Sequence, residues 1–198
     1  MNKTIIILPL DINTNKRELK TLKQILISST GELVFSIPAH INHPLYNDIQ
    51  KLQIKYIGRI IILPLYKEIN TIQMSIHAHK SLLKETDVHY FANYTFKDLK
   101  NINIMYNNID TINNNPQLKV VFCEKETTRK KSSYKKVIHK ILNINIFDFN
   151  ICKRVISKDI AEYIYEDCNL KNKYYFKIYF IKKLYILLGK ENLPLSIY

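Results

Sequence analysis

Residues 5–10, Ile-Ile-Ile-Leu-Pro-Leu, form an apolar run without polar alternation. That is the pattern of a strand covered on both faces. Polar residues 11–15 follow and can open a helix in which Leu19, Leu22, Ile25 and Leu26 recur at spacings of three and four, making one apolar face. Gly31 breaks this pattern, and residues 32–37 read as a second strand. His43-Pro44 opens a second helix with Tyr46, Ile49 and Leu52 inward. Residues 60–65 read as a third strand, 70–84 as a third helix and 88–92 as a fourth strand. Strands alternating with helices of this length imply a mostly parallel sheet with right-handed crossovers.

Past residue 100 the pattern is less regular. Residues 102–106 and 118–122 read as short strands, and the polar, Asn-rich stretch 107–116 between them as a loop. A basic run, 125–136, leads into an apolar helical stretch, 137–142. Residues 147–155 are mixed, and Ser157 has the chemistry of a helix N-cap. A long helix over 174–188 is closed by Gly189, and 193–198 reads as a last strand. The expectation is one α/β domain with a central mixed sheet of about six or more strands flanked by helices.

Composition narrows the function classes. A chain of 198 residues can bury a sizeable core, and 46% hydrophobic residues with six prolines and three glycines exclude a disordered or linker-rich chain. Ile, Asn, Lys and Tyr are in excess, as AT-rich codons would give, so the net charge of +13 has two readings. One is a solvated surface. The other is a footprint for phosphate-bearing partners: nucleic acid, a nucleotide sugar or an anionic membrane face. Cys123, Cys152 and Cys168 are odd in number and form no C-x-x-C pair, which favours a reducing cytoplasm, a host cytoplasm if the source is viral. The first apolar run is too short for a signal peptide, and Lys177, Lys182 and Lys183 interrupt the most apolar late stretch, 174–188, so no transmembrane segment is expected. His77 and His79, two apart, fall on different sides of a helix and argue against a shared zinc site. No Gly-rich phosphate loop, nucleophile elbow or H-E-x-x-H is present.

Four stretches in order carry a resemblance. They are the run 5–10 with Pro9, the segment Asp87-Val88-His89-Tyr90-Phe91-Ala92-Asn93-Tyr94-Thr95, the strand 118–122 followed by Arg129-Lys130-Lys131-Ser132-Ser133, and the segment 147–156 beginning Phe147-Asp148 and including Lys153-Arg154. Together they resemble the GT-A glycosyltransferases of family 2, most closely the branch related to polyprenyl-phosphate sugar synthases. The resemblance covers nearly the whole chain and implies a GT-A fold in a single domain, 1–198, with a nucleotide-binding half, 1–100, and an acceptor-side half, 101–198. It also implies transfer of a sugar from a UDP- or GDP-sugar to an acceptor glycan, lipid or protein, with Mn or Mg as the metal. Where the family has an Asp-x-Asp metal motif this chain has Asn93-Tyr94-Thr95, so the metal motif is degenerate. The second strand, which in the family ends in acids, here ends Ile37-Pro38-Ala39-His40, and the glycine expected after Asp148 is missing.

The donor is expected against Pro9, Leu10, Asp11, Pro38 and Ala39, at strand ends, where ligands of such sheets bind. Asp11 also suits a helix N-cap. His40 and His43 could offer a polar ring to the nucleotide. Asn93 and Thr95 are the candidate metal ligands, neutral oxygens where Mg²⁺ or Mn²⁺ favours charged ones. Arg129, Lys130 and Lys131 could pair with phosphate oxygens in the metal's place. A transferase also needs a carboxylate base, for which Asp148, Glu166 and Asp167 are the candidates. Two rival readings stand beside this one. One is a non-catalytic binding protein on the same fold, suggested by the missing acids, and the other is a basic nucleic-acid-binding protein, suggested by the charge.

Overall fold

The computed structural model describes residues 3–29, 33–115, 118–124, 149–170 and 172–188. The elements are β1 (Lys3–Ile7), α1 (Lys16–Ser28), β2 (Val34–His40), α2 (Tyr46–Lys55), β3 (Ile60–Leu65), α3 (Thr71–Leu82) and β4 (Val88–Asn93). A 3-10 turn (Phe96–Asn101) follows, then α4 (Ile102–Asn114), β5 (Val120–Glu124), β6 (Phe149–Ser157), α5 (Lys158–Tyr165) and α6 (Lys173–Leu188).

The strands form one sheet in the order β3-β2-β1-β4-β6-β5. β1 pairs in parallel with β2 and β4, and β2 with β3. β6 runs antiparallel to both β4 and β5, so it alone is reversed. Two registers matter for the site. Asn93, last in β4, lies beside Ile7 on one side and Arg154 of β6 on the other. Glu124, last in β5, pairs with Phe149, first in β6, so both lie at the end of the sheet where the parallel strands finish.

Alternation along the strands builds two cores. Ile5, Ile7, Phe91, Val120 and Ile156 face α3, α5 and α6, whose Ile76, Leu82, Ile160, Ile164 and Phe180 close that layer. Ile6, Leu8, Phe35, Ile37, Val121 and Val155 point the other way, against Leu22, Leu26, Ile49, Met105 and Ile109 of α1, α2 and α4. Ile5 through Leu8 are all 0% exposed, which is why the run shows no polar alternation. Each such side chain contributes about 1.5–3 kcal/mol by leaving water. The helix starts are set locally. Asn15 caps α1 with Glu18 reaching back, and Asn70 caps α3 with Gln73 doing the same.

Two expectations need correction. Residues 102–106 are not a strand and 107–114 not a loop; both belong to α4. Its buried Met105, Asn108, Ile109 and Ile112 recur at helical spacing, and burial of that face overrides the low helix propensity of the asparagines. The stretch 147–155 resolves as strand from Phe149 onward, continuing to Ser157. Ser157 is the N-cap of α5 as expected, though its side chain makes no cap hydrogen bond. The basic run 125–136, the helical stretch 137–142, Gly189 and the strand 193–198 lie outside the described residues. No helix among the described residues is long and apolar enough to cross a membrane.

Candidate functional site

A crevice of ≈ 340 Å³ opens where β1 and β4 end. Pro9 and Asp11 follow β1 on one side, and Asn93, Tyr94 and Thr95 close β4 on another. The first turn of α3 forms a wall through Asn70, Thr71, Ile72 and Ser75. Arg154 of β6 and Phe176 of α6 complete the lining. The crevice thus draws on both halves of the chain, and it sits outside the carboxyl ends of parallel strands, where open α/β sheets hold their ligands.

Asp11 occupies a tight turn. Its Oδ1 accepts from the Asn13 N–H at 2.9 Å and from the Thr14 hydroxyl at 3.3 Å. The N-cap of α1 is Asn15, so Asp11 caps the preceding turn and not the helix. Its carbonyl is 3.0 Å from His43 Nε2, while the Leu45 N–H donates to His43 Nδ1 at 3.1 Å. Since Nδ1 accepts, Nε2 carries the proton and donates to Asp11, tying the loops after β1 and β2 together. His40 Nδ1 accepts from the Asn42 N–H at 3.2 Å, a local turn bond.

Asn93 and Thr95, expected as metal ligands from the resemblance, are engaged within the protein. Asn93 is buried, and His79 Nε2 of α3 lies 3.1 Å from its Oδ1 and 3.0 Å from its Nδ2; one of these bonds forms, according to the tautomer. Behind it the His79 ring stacks on Tyr165 at 3.8 Å and meets Phe91 edge-on at 5.0 Å. Full burial holds the His79 pKa well below the ordinary histidine value, and the nearby Arg154 charge lowers it further, against a smaller opposing effect of the Asn93 bond. The imidazole is therefore neutral. Thr95 donates its hydroxyl to Asp98 Oδ2 at 2.7 Å, and its N–H donates to the same oxygen at 2.8 Å. Asp98 Oδ1 in turn meets Lys153 Nζ at 2.5 Å.

These residues do not fit a divalent cation. Such an ion wants several hard, preferably anionic oxygens, whereas Asn93 is turned to a histidine and Thr95 to a carboxylate already paired with lysine. Among the described residues, no group of three or more His, Cys, Asp or Glu could hold a metal ion.

Arg154 is the second charged residue of the crevice, and sequence reasoning did not single it out. It is 2% exposed. Its guanidinium donates to the Tyr165 hydroxyl and stands over the rings of Phe180 at 4.3 Å, Phe176 at 5.6 Å and Tyr165 at 5.8 Å. His79, weighed from sequence only as a zinc ligand, is signalled as inward by its position three residues before the inward Leu82 on α3.

Of the residues expected to form the site, Pro9, Asp11, Asn93 and Thr95 meet in the crevice. Leu10, Pro38 and Ala39 lie beneath it: Leu10 bridges Ala39, its N–H donates to the Pro38 carbonyl, and none of the three lines the surface. Glu166 and Asp167 are exposed at the end of α5. Glu166 lines a separate shallow depression with Lys80, Leu83, Lys84 and Glu162, which shares no residue with the crevice. Arg129, Lys130, Lys131 and Asp148 lie outside the described residues.

No protein-family profile matches the sequence, and no curated protein does. Solved structures do share its architecture. Glucosyl-3-phosphoglycerate synthase from Mycobacterium tuberculosis, in complex with UDP, superposes with a TM-score of 0.62 at 8% identity, over 96% of this chain and 68% of that one. TarS 1-349 of S. aureus gives 0.57 at 11% identity, over 91% of this chain; the chain spans just over half, 55%, of that structure. The mannosyltransferase PcManGT from Pyrobaculum calidifontis, in complex with GDP-Man and Mn²⁺, gives 0.51 at 10% identity, over 81% and 46%. At these identities the likeness establishes the architecture, and the chain has a GT-A-type α/β fold with a six-stranded, mostly parallel sheet flanked by helices.

Proposed function

We propose that the protein is a family 2-like glycosyltransferase that moves a sugar from a UDP- or GDP-sugar to an acceptor glycan, lipid or protein in the cytoplasm. The observation that carries this reading is the gathering of Pro9, Asp11, Asn93 and Thr95 in one crevice at the strand ends, from two distant parts of the chain. The nucleotide side belongs to residues 1–100 and the acceptor side to 101–198. Arg129 and Lys130 serve the donor phosphates. Asp148 is the favoured base, since its neighbour Phe149 starts β6 at the crevice end of the sheet; Asp167 and Glu166 are the alternatives. With Asn93 and Thr95 engaged elsewhere, Mn or Mg contributes little.

Calorimetric titration of UDP and GDP, in EDTA and in Mn²⁺, tests the donor. We expect binding in both. No binding of either nucleotide refutes the donor reading, and binding only with Mn²⁺ refutes the weak metal dependence. Asp148→Asn and Asp167→Asn should each lower transfer by orders of magnitude with donor affinity nearly unchanged, and full activity in both removes the two as the base. A second reading, a non-catalytic nucleotide-sugar-binding protein, is favoured by the internal engagement of Asn93 and Thr95. Binding without turnover across a panel of donors and acceptors selects it.

A further inference from the structure

Every GT-A-like crevice that receives a diphosphate has to balance two or more negative charges, and the metal position here is a poor place for a cation. Asn93 is neutral and turned to His79, and Thr95 is held by Asp98. The facing residue in the antiparallel register of β4 and β6 is Arg154, so an arginine occupies the strand position next to Asn93. Neighbouring strands lie about 4.8 Å apart. A divalent ion seated at Asn93 would stand against that positive charge beside two buried side chains, where like charges repel more strongly than in water.

Arg154 is also built to stay in place. Its stem belongs to a strand, its guanidinium donates to the Tyr165 hydroxyl, and the rings of Phe176 and Phe180 face it. A cation in such an aromatic surround is pre-oriented and only weakly hydrated, and its planar fork suits two oxygens of a phosphate. Among the described residues, the crevice's other charge is the Asp11 carboxylate, which follows β1 and repels phosphate but can accept from the hydroxyls of a ribose. The two charges therefore give the crevice a direction, nucleoside toward Asp11 and diphosphate toward Arg154.

We propose that Arg154 binds the diphosphate in this crevice, beside Arg129 and Lys130, and takes the place of the divalent metal. This rests on the nucleotide-sugar reading of the same crevice. The test is calorimetry with UDP, GDP and inorganic pyrophosphate on the wild-type protein and on Arg154→Lys and Arg154→Met, each in EDTA and in Mn²⁺, with thermal unfolding recorded in parallel. We expect the wild type to bind all three in EDTA with affinities within about threefold of those in Mn²⁺. Loss of charge-assisted bonds predicts at least about a tenfold weaker affinity in Arg154→Met, and a smaller loss in Arg154→Lys, which keeps charge but not the fork. A purely structural Arg154 would lower the unfolding temperature and leave the affinities of the folded protein unchanged, which overturns the proposal. Nucleotide binding that needs Mn²⁺ overturns it as well while leaving the donor reading intact. Failure of the wild type to bind any of the three probes removes the donor reading and the proposal with it. Should both variants fail to fold, hydrogen exchange on the wild type decides: pyrophosphate must protect the β6 segment that bears Arg154, and no protection there refutes the assignment.

Discussion

Replacing His79 by phenylalanine turns a buried ionisable group into a pH-silent one while keeping the ring. The neutral His79 is enclosed by Tyr165, Phe91 and Asn93, with Arg154 nearby as the positive charge that disfavours a second one. Its folded pKa lies well below the ordinary 6.5, which the unfolded chain regains. Below pH 6.5 the unfolded state therefore binds a proton that the folded state refuses. The stability contribution is fully present above that pH and is lost as pH falls toward the folded value. The loss approaches about 1.4 kcal/mol per pH unit, and integrated from about pH 7.5 to 5.5 it amounts to about 1.4 kcal/mol. His79→Phe keeps the stack on Tyr165 but gives up the Asn93 bond, a constant penalty of about 1–3 kcal/mol that does not change with pH. Urea unfolding of both proteins at the two pH values measures the difference directly, since all other titrating groups cancel. The stability gap between wild type and variant should close by about 1.4 kcal/mol on going to the lower pH. If the two proteins lose stability in parallel, His79 is not the buried neutral imidazole described here.

Two further substitutions separate structural from chemical roles. Thr95→Val removes the 2.7 Å hydroxyl bond to Asp98 and should lower the unfolding free energy by about 1.5 kcal/mol in urea, with the ratio of nucleotide affinities in Mn²⁺ and EDTA unchanged; a shift in that ratio would mark Thr95 as a metal ligand after all. Arg59→Met removes donors to the carbonyls of Leu26 at 2.7 Å and Ser29 at 3.1 Å, which fasten the end of α1 beside β3. We expect a loss of about 1–3 kcal/mol and faster hydrogen exchange at the C-terminal turn of α1, and unchanged exchange there would show that the turn holds without the arginine.

The parts of the fold readable from sequence are those set by local periodicity. The run at Ile5–Leu8 announces a strand covered on both faces, and the Leu19, Leu22, Ile25 and Leu26 face announces α1, because each depends only on neighbours a few residues away. α4 escaped because its polar asparagines and short apolar run imitate strand and loop, and only packing of Met105, Ile109 and Ile112 against the sheet decides the matter. At the crevice, the resemblance singled out Asn93 and Thr95, but not what holds them. Asn93 meets His79 through the return of α3, and Arg154 reaches Asn93 through an antiparallel pairing across a long sequence separation. No local pattern encodes such a register. Arg154 next to Lys153, ahead of the apolar Val155-Ile156, is the available signal, and it is ambiguous between a strand edge and a buried charge.

The pairing of Glu124 with Phe149 has a consequence for how this chain can be altered. Departure from the sheet and return to it occur side by side, at the crevice end, as the two legs of a hairpin stem. The length of chain joining such legs affects stability only weakly, with each doubling of a flexible connection costing about 0.6 kcal/mol. Changing the number of residues that join Glu124 to Phe149 thus costs the six-strand scaffold little, because the β5–β6 pairing itself holds the two ends together. For protein engineering this is the natural graft point, a position where new sequence can be carried without redesigning the fold.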